Sequence, residues 1–461
     1  MDRADIAGIV STQRAFFNTG KSKDLSFRIA QLALLRKIID DNEDAICEAL
    51  KLDMNKPKFE AYVGEIAMVT NEIDYAIRHL KSWARPKRVM TPLVHFPARS
   101  HIYSEPLGVV LIIGTWNYPI QLVLCPLVGA MAAGDSSILK PSRMAPHTAD
   151  LIARMMTENF DPGLLAVVQG GSEAVNTLLE NQLDHIFFTG GTSVGRIIAE
   201  AAARKLTPVT LELGGKSPCL VDREVHLDYA ARRITWGKFF NAGQTCVAPD
   251  YLMVHTSIKN EILEHIRGYI GEFYGEDPHN SPDYARIIND KHFDRLSGLL
   301  EEGDILIGGK TNSADKYIAP TVIDNVSWDH KIMQEEIFGP LLPVIEYEDL
   351  AQAVSTINRH PKPLSFYLFS TNKGTQERVL KETTSGGCTI NDTIVHLSTQ
   401  TLPFGGVGES GIGKYHGQAS FDIFSNKKSV LYRSFLLDLK LRYAPYGNKL
   451  PWVKKLLRYF G

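Results

Sequence analysis

No charged residue interrupts the stretch Pro106-Leu-Gly-Val-Val-Leu-Ile-Ile-Gly-Thr-Trp-Asn-Tyr-Pro119 or its continuation Ile120-Gln-Leu-Val-Leu-Cys-Pro-Leu-Val-Gly-Ala-Met-Ala-Ala-Gly134. The stretch is long enough to cross a bilayer. However, a polar turn at residues 114–119 divides it, and irregular backbone is not tolerated facing lipid. The pattern therefore predicts a buried strand at Val109–Ile113 and a buried helix at residues 120–133, joined by that turn.

The same alternation of short apolar strands and helices continues along the chain. It indicates an α/β protein with a doubly wound parallel sheet, whose ligands bind at the carboxyl ends of the strands. Residues 1–90 are expected to be helical, and after Gly215 the pattern restarts as a second α/β domain. The predicted strands are Val109–Ile113, 136–139, 165–168, 185–188, Val209–Glu212, Pro218–Val221 and Tyr251–His255, and the predicted helices are 120–133, Pro146–Asn159, 173–180, 194–203 and one ending near residue 240.

Composition excludes several classes of protein. The 461 residues carry a net charge of −2, which argues against a nucleic-acid partner. The five cysteines are scattered without a C-x-x-C pair, so neither a disulfide framework nor a cysteine zinc site is expected, and no metal is predicted. The first residues lack a basic leader before an apolar core. A cytoplasmic location is therefore expected.

Two residues near the predicted domain junction suggest two-step acyl chemistry. Cys246 ends the run Asn241-Ala-Gly-Gln-Thr-Cys246, and Glu212 lies in Thr210-Leu-Glu-Leu-Gly-Gly-Lys216. A thiolate is a strong nucleophile toward a carbonyl carbon. A glutamate among apolar residues is expected to be half-buried, with its pKa raised toward useful base strength. Taken alone, Cys246 is more often explained as an inert buried side chain.

Three further turns suit a dinucleotide. Gly190-Gly-Thr-Ser-Val-Gly195 follows a strand and opens a helix, where backbone N–H groups approach a pyrophosphate. Lys140 ends another strand, and Glu336 with Phe338 could meet a ribose and a flat ring. Each also has an ordinary explanation: a tight turn, a solvated lysine, and a surface acid beside a core phenylalanine.

Together these motifs resemble the aldehyde dehydrogenase superfamily from about residue 20 to 430, and within it the class 3, or fatty-aldehyde-dehydrogenase-like, branch. The resemblance rests on the motifs Trp116-Asn-Tyr-Pro119, Leu139-Lys-Pro-Ser142, Phe188 to Gly195, Leu211-Glu-Leu-Gly-Gly-Lys216, Gly243-Gln-Thr-Cys246, Glu335-Glu-Ile-Phe-Gly-Pro340, Asn391-Asp392, Leu402-Pro-Phe-Gly-Gly-Val-Gly408, Ser410-Gly-Ile-Gly-Lys-Tyr-His-Gly417 and Ser420-Phe-Asp-Ile-Phe-Ser425.

The resemblance implies the roles of the catalytic residues. Cys246 attacks an aldehyde to give a thiohemiacetal, whose oxyanion is held by the Asn117 amide and the Cys246 backbone N–H. Glu212 then activates the water that hydrolyses the thioester. The implied cofactor-binding residues are Thr115, Trp116, Lys140, Ser142, Arg143, Gly190, Gly191, Ser193, Gly195, Leu213, Glu336 and Phe338.

The resemblance also implies how the chain is organised. It divides the chain into an NAD(P)-binding domain at 1–213, with a bridging excursion at about 85–104, a catalytic domain at 214–392, and a return segment at 393–461 with an oligomerisation element and a basic tail. A homodimer is expected. Four residues near the motifs are expected to line a pocket for medium or long aliphatic or aromatic aldehydes: Tyr118, Leu122, Trp236 and Phe240.

Two positions depart from the family pattern. Arg143 replaces a glutamate that often binds both ribose hydroxyls and repels a 2′-phosphate. A planar cation there relieves the repulsion, so we expect NADP to be used as well as or better than NAD. The alternative is that Arg143 points into solvent. Gly191 stands where many relatives have serine, so one hydroxyl donor to the pyrophosphate is lost.

The C-terminal segment is basic and predicts a short amphipathic helix. Trp452, Val453, Leu456, Leu457 and Phe460 share one face, and the opposite face carries basic residues. The pattern is typical of a helix lying in a membrane interface, which would make residues 450–461 a peripheral membrane contact. Packing over the substrate entrance or on a partner subunit is the alternative, because so short a helix needs something to dock on.

Two other functions remain open. One is a CoA-acylating or acyl-phosphate-reducing relative on the same fold, which generally needs no glutamate to activate water. The other is a non-catalytic binding or structural protein. Glu212 argues against the first, and the presence of Cys246, Glu212 and Asn117 together argues against the second.

Overall fold

The computed structural model describes residues 3–438 and 440–460. Its helices are α1 Arg3–Asn18, α2 Leu25–Asp41, α3 Glu43–Met54, α4 Lys58–Ala61, α5 Ala67–Trp83, α6 Gln121–Ala133, α7 Pro146–Asn159, α8 Ser172–Leu179, α9 Thr192–Ala203, α10 Leu227–Phe239, α11 Lys259–Tyr274, α12 Asp290–Gly298, α13 Lys331–Gln334, α14 Leu350–Asn358, α15 Lys373–Glu382, α16 Gln418–Ile423 and α17 Leu450–Phe460. Its strands are β1 Lys87–Val89, β2 Ala98–Pro106, β3 Val109–Ile113, β4 Ser136–Lys140, β5 Leu165–Val167, β6 His185–Thr189, β7 Val209–Glu212, β8 Pro218–Val221, β9 Tyr251–His255, β10 Asp304–Ile307, β11 Thr311–Asn312, β12 Tyr317–Ile318, β13 Thr321–Asp324, β14 Leu341–Tyr347, β15 Ser365–Phe369, β16 Gly387–Ile390, β17 Gly411–Ile412 and β18 Ser425–Arg433.

The first sheet has the strand order β17-β7-β6-β3-β4-β5. Strands β3 to β7 run parallel, and β17 pairs antiparallel with β7. The chain winds in one direction from β3 through β4 to β5 and then returns to β6 on the other side. The turns after β3 and β6 therefore meet at a topological switch point, where open sheets of this kind bind ligands.

The uncharged stretch lies in the middle of this sheet. Every residue of β3 and of α6 is buried, which explains why neither carries a charge. The predicted strands and helices of this region are confirmed to within two residues at each end. Within the described residues, no helix combines the length and apolarity needed to cross a membrane.

A second sheet has the order β10-β13-β14-β9-β8-β15-β16. All of its neighbouring strands are parallel except for the β10–β13 pair. The α/β fold class is therefore confirmed. The first sheet's strand β7 ends at Glu212, and β8, the first strand of the second sheet, begins at Pro218.

A third, antiparallel sheet joins distant parts of the chain. Its order is β1-β2-β18, and β18 pairs with β2 along the whole length of both strands. The expectation that residues 1–90 are helical is wrong at its end: the helices stop at Trp83 and residues Lys87–Val89 form β1. Pro86 lacks the N–H that a continuing helix requires, and β2 provides hydrogen-bond partners for an extended chain instead.

The C-terminal helix is confirmed as α17, which packs against the turn Leu93–His95 of the bridging segment. Val453 and Leu456 are half-buried, whereas Trp452 and Leu457 on the same face are largely exposed. The side chain of Phe460, also predicted on this face, lies outside the described part of the chain, as does Gly461.

Candidate active site

Two cavities meet at Cys246. The larger, of about 390 Å³, lies at the carboxyl ends of the first sheet, and the smaller, of about 220 Å³, is lined mainly by apolar side chains. Cys246, Leu122, Phe404 and Tyr415 line both. A group bound in either cavity would therefore reach the same thiol.

The loop that carries Cys246 has an unusual backbone. After α10 the chain turns through Asn241 and Ala242, whose φ angles of 54° and 51° are left-handed, and then through Gly243 at 70°. A Cβ at Gly243 would collide with the carbonyl of Gly339, so only glycine fits there. Strained positions of this kind persist where surrounding contacts fix them, often at functional sites.

The surroundings of Cys246 disfavour its thiolate. The residue is half-buried, and burial raises the pKa of its thiol well above the ordinary value. The carboxylates of Glu336 and Glu212 raise that pKa further, whereas the backbone N–H groups of Cys246 and Val247 lower it. The thiol therefore needs a base or a nearby cation to become nucleophilic.

Asn117 lies in the turn after β3 and is 1% exposed. One N–H of its amide donates to the Gln244 carbonyl at 3.0 Å, which ties the turn to the Cys246 loop. An amide nitrogen carries two hydrogens, so the second remains for a ligand. Asn117 and Cys246 both line the larger cavity, so the structure brings the predicted oxyanion donor and nucleophile together.

Glu212 is the last residue of β7 and is 3% exposed, so it is buried rather than half-buried as expected. The difference arises because β17 and the chain around Gly405 cover the strand end. Neither carboxylate oxygen has a hydrogen-bond partner among the described residues. Burial raises the pKa of Glu212 well above its ordinary value, and Lys414 lowers it only in part.

Most of the predicted cofactor residues line the larger cavity: Thr115, Trp116, Gly190, Gly191, Ser193, Leu213, Glu336 and Phe338. A Cβ at Gly191 would have no atom within 4 Å, so space remains open beside the N-terminus of α9. Positive partial charge at a helix N-terminus attracts a pyrophosphate. These residues fit a nicotinamide dinucleotide.

Glu336 and Phe338 line the larger cavity together. A Cβ at Gly214 would collide with the Glu336 carboxylate, so that glycine makes room for the acid. Burial, and then the Asp250 carboxylate, raises the pKa of Glu336 to about 8. Phe338 meets Trp116 edge to face, with ring centroids 5.3 Å apart.

Four predicted cofactor residues do not line this cavity: Lys140, Ser142, Arg143 and Gly195. The Lys140 ammonium donates to the Pro141 carbonyl at 3.0 Å, and burial lowers its pKa. The Ser142 hydroxyl accepts from the Met144 N–H at 3.3 Å. Gly195 has a packing role, because a Cβ there would lie 2.6 Å from the Leu213 side chain.

Arg143 is exposed, but its guanidinium lies against the turn before α8. A Cβ at Gly171 would lie 2.7 Å from the Arg143 Nη1 atom and 2.7 Å from the Glu173 Oε2 atom. The cation is thus directed along the protein surface at the carboxyl ends of β4 and β5, and an acid lies next to it.

All four predicted pocket residues line the smaller cavity: Tyr118, Leu122, Trp236 and Phe240. Trp236 and Phe240 meet edge to face at 5.5 Å, and the Tyr118 and Thr245 hydroxyls lie 2.7 Å apart. The lining residues that the sequence did not indicate are Val63, Gly64, Met68, Gln121, Thr245, Val247, Ile394, Val395, Leu397, Ser398, Phe404, Tyr415 and His416. Thr245, Phe404, Tyr415 and His416 lie within the motifs quoted above, although nothing in those motifs indicated a pocket wall. Residues 63–68 and 394–398 belong to stretches that carry no chemical motif.

Several charged residues near the centre were also missed. Lys414 faces Glu212 and donates to the Gly386 carbonyl at 2.6 Å. His292 and Arg295 of α12 line the larger cavity. Lys56 and Glu65 form an ion pair with both side chains fully buried. Lys56 and Lys414 lie in loops, and His292 and Arg295 lie on an amphipathic helix. Charged residues at such positions normally face solvent, so their residue types gave no signal.

Two parallel sheets with a cavity at the carboxyl ends of the first are typical of a dinucleotide-dependent oxidoreductase. The chain belongs to the aldehyde dehydrogenase family, which it matches over residues 1–430, and its place in the class 3 branch is also supported.

Individual aldehyde dehydrogenases are similar to this protein over nearly the whole chain. The chain is 47% identical over 447 residues to the 4,4′-diaponeurosporen-aldehyde dehydrogenase of Staphylococcus aureus (strain NCTC 8325 / PS 47), covering 96% of this chain and 97% of the relative. It is 47% identical over 450 residues to a dimeric NADP-preferring aldehyde dehydrogenase of Rattus norvegicus, covering 97% and 99%. A solved structure described as the substrate-bound state of Staphylococcus aureus AldH superposes with a TM-score of 0.96 at 46% identity, covering 98% and 99%.

Proposed function

We propose that this protein oxidises an apolar aldehyde to its carboxylic acid, with NADP or NAD as the oxidant and water as the second substrate. The observation that carries the proposal is the position of Cys246, which lies where the cavity lined by most of the cofactor residues meets an apolar one. Asn117 and Glu212 line the first of these cavities.

The chain's own residues divide the reaction into two halves. The Cys246 thiol loses its proton to solvent and its sulfur bonds to the aldehyde carbon. The Asn117 amide and the Cys246 backbone N–H hold the resulting oxyanion, an interaction worth a few kcal/mol. Bound NAD(P)⁺ supplies the hydride acceptor. The thioester left on Cys246 is then cleaved by a water from which Glu212 removes a proton. Thioester cleavage returns Cys246 to its thiol and releases the acid.

Glu212 decides between hydrolysis and acyl transfer to CoA. Its carboxylate has no protein hydrogen-bond partner among the described residues, and it lines the same cavity as Cys246. A raised pKa suits a group that must take a proton from water near neutral pH. A CoA-dependent enzyme has no use for this base.

The cofactor sites follow from the same cavity. Gly190, Gly191 and Ser193 would hold the pyrophosphate at the N-terminus of α9, and Glu336 with Phe338 would position the nicotinamide end. Lys140, Ser142 and Arg143 would meet the adenosine ribose at the end of β4. The relative described as NADP-preferring supports use of NADP here, and the Arg143 guanidinium offers the charge that a 2′-phosphate needs.

The substrate would be a medium or long aliphatic or aromatic aldehyde. The smaller cavity has an almost wholly apolar lining, and an apolar cavity favours burial of a hydrocarbon chain. The relative named for a 4,4′-diaponeurosporen aldehyde supports a long apolar substrate.

The proposed domain boundaries follow the sheets. Residues 1–213 would form the NAD(P)-binding domain, 214–392 the catalytic domain, and 393–461 the return and oligomerisation segment. The three-stranded sheet built from residues 85–104 and β18 would join two copies in a homodimer, as the name of the dimeric relative supports.

The C-terminal segment would place a cytoplasmic enzyme at a membrane surface. Phe435, Leu436, Trp452 and Leu457 are large apolar side chains with more than half of their surface exposed, and basic residues stand among them. Sedimentation with phosphatidylcholine vesicles, with and without phosphatidylserine, tests this. Binding to the anionic vesicles should be lost in a Trp452→Glu/Leu457→Glu variant, and equal sedimentation of both forms would contradict it.

The activity itself is tested by following NADPH and NADH formation with aldehydes of increasing chain length, with and without CoA. We expect turnover without CoA and a free carboxylic acid as product. A strict requirement for CoA would favour the acylating alternative, and no reduced cofactor with any aldehyde would favour a non-catalytic role.

A further inference from the structure

Three charged side chains of the N-terminal helical segment lie buried beside the reaction centre. Lys56, Glu60 and Glu65 are 1%, 7% and 0% exposed. Charged residues are almost never buried so completely unless they are paired. Glu65 lies in a π-helical turn, Tyr62–Ile66, between α4 and α5, and such turns occur frequently at functional sites.

The first contact network runs from this segment to the turn that carries Asn117. The Lys56 ammonium donates to Glu65 Oε1 at 2.6 Å and to the Asn117 backbone carbonyl at 2.8 Å. The other Glu65 oxygen accepts from the N–H groups of Ile120 and Gln121 at 2.9 and 3.0 Å. The ion pair therefore holds the second half of the turn, from Asn117 to the start of α6. Its carboxylate lies at the N-terminus of α6, where negative charge is favoured.

A second network continues from this turn to the nucleophile loop. Glu60 accepts from the backbone N–H of Asn241 at 2.9 Å, at one of the left-handed positions. The Asn241 amide donates to the Asn117 carbonyl at 3.1 Å and to the Gln244 carbonyl at 3.2 Å. The Gln244 carbonyl also accepts a hydrogen bond from the Asn117 side-chain amide. Lys56, Glu60 and Glu65 thus bind the backbone of both the Asn117 turn and the Cys246 loop.

We propose that Lys56 and Glu65 are a positioning pair that fixes the Asn117 turn, so that the Asn117 amide meets the oxyanion formed on the Cys246-bound substrate. The proposal rests on the proposed function. Neither residue lines either cavity, so both act through the residues they contact and not on the substrate. Those contacts are the Asn117 turn with the start of α6 and, for Lys56, the Tyr118 ring, whose centroid lies 4.2 Å from the ammonium. A fully buried ion pair adds little stability over a packed apolar pair, and its value here is the fixed geometry of the groups it contacts.

The test is a double-mutant cycle on kcat with Glu65→Gln, Asn117→Ala and the double variant. Glutamine keeps an acceptor for the two N–H groups but removes the charge that orients Lys56. A misplacement of about 1 Å costs on the order of a hundredfold in rate, so we expect Glu65→Gln to lower kcat roughly ten- to a hundredfold with KM for aldehyde and cofactor little changed. In the Asn117→Ala background the same change should lower kcat less than about twofold.

Additive effects in the cycle would overturn the proposal, because a pair that acts through Asn117 has nothing to act on once the amide is gone. Lys56→Met gives a second arm of the cycle with the same expectation. Lys259→Met is the matched control, since Lys259 is also partly buried between acids, Asp324 and Glu346, but lines neither cavity. It should lower the melting temperature without a matching fall in kcat.

The two proposals fail in different ways. A wild-type protein that forms no reduced cofactor with any aldehyde contradicts the proposed function. An active wild-type protein whose Glu65→Gln variant keeps full kcat, or whose cycle is additive, contradicts the positioning role alone. Circular dichroism on each variant shows whether a lost rate reflects a lost fold.

Discussion

The two cavities that meet at Cys246 are constructed differently. The larger is formed mainly by turns that directly follow parallel strands, such as residues 114–119 after β3 and Gly190 after β6. The smaller is formed by side chains from helices, from the Cys246 loop and from the segments 394–398 and 404–416. Strand ends are fixed by the sheet, whereas the apolar wall depends on packing. Changes on the first wall should alter chemistry and cofactor use, and changes on the second should alter only which aldehyde fits.

The largest expected effect is at the thiol shared by both cavities. Cys246→Ala should abolish aldehyde oxidation, with a fall in kcat of about 10⁴-fold or more, because no other group on the described surface of the site can form the thioester. Binding of NADPH, followed by fluorescence, should persist. Cys388→Ala, a change at another half-buried cysteine, is the control and should retain activity. Retained turnover in Cys246→Ala would contradict the claim that both cavities serve the Cys246 thiol.

A smaller effect is expected on the cofactor wall. Arg143→Glu should lower the ratio of kcat/KM for NADP over NAD by about ten- to a hundredfold, since it replaces an attractive charge near the 2′-phosphate with a repulsive one. Steady-state kinetics with both cofactors measures it. Arg154→Glu, at an exposed arginine on α7, should leave the ratio unchanged. An unchanged ratio in Arg143→Glu would mean that the guanidinium does not meet the cofactor.

The apolar wall should respond through chain length. A Cβ at Gly64 would lie 3.1 Å from Tyr118 Cε1 and 3.4 Å from Phe240 Cε1, so Gly64→Ala narrows the smaller cavity. We expect kcat/KM for the longest accepted aldehyde to fall about tenfold while the value for a short one changes little. Gly268→Ala, where the added carbon meets nothing within 4 Å, is the matched control. An equal loss for short and long aldehydes would contradict a purely steric role for this wall.

The smallest effect concerns stability. The ordinary pKa of glutamate is 4.5, and burial holds that of Glu212 well above it. Between the two values the unfolded chain has lost its proton and the folded chain keeps it, so this group's contribution to the unfolding free energy falls as pH rises. The melting temperature of Glu212→Gln minus that of the wild type should therefore rise by a few degrees from pH 5 to pH 8. Glu200 is exposed, so Glu200→Gln should show no such trend. A melting-temperature difference between Glu212→Gln and the wild type that stays constant with pH would contradict the raised pKa of Glu212.

The difference between the walls also explains what could be predicted from the sequence. The strands of the first sheet and the residues at their carboxyl ends were predictable, because short continuous apolar runs that alternate with helices and end in glycine or a polar residue are typical of a parallel sheet covered on both faces. The burial of Glu212 was underestimated because β17, which covers it, comes from about 200 residues further along the chain. Lys56 and Glu65 were not predictable, since their partners Asn117 and Ile120 lie far away in the sequence and a lysine in a loop between two helices normally faces solvent.

The central claim is that Cys246 and Glu212 act in successive steps, and a single-turnover experiment on Glu212→Gln tests it most directly. After mixing enzyme, cofactor and aldehyde, reduced cofactor is followed by absorbance and the protein mass is measured. We predict a burst of about one equivalent of reduced cofactor, slow turnover afterwards, and an acyl adduct on Cys246. Steady-state turnover at the wild-type rate, or loss of the burst together with no adduct, would contradict the division of the reaction between these two residues.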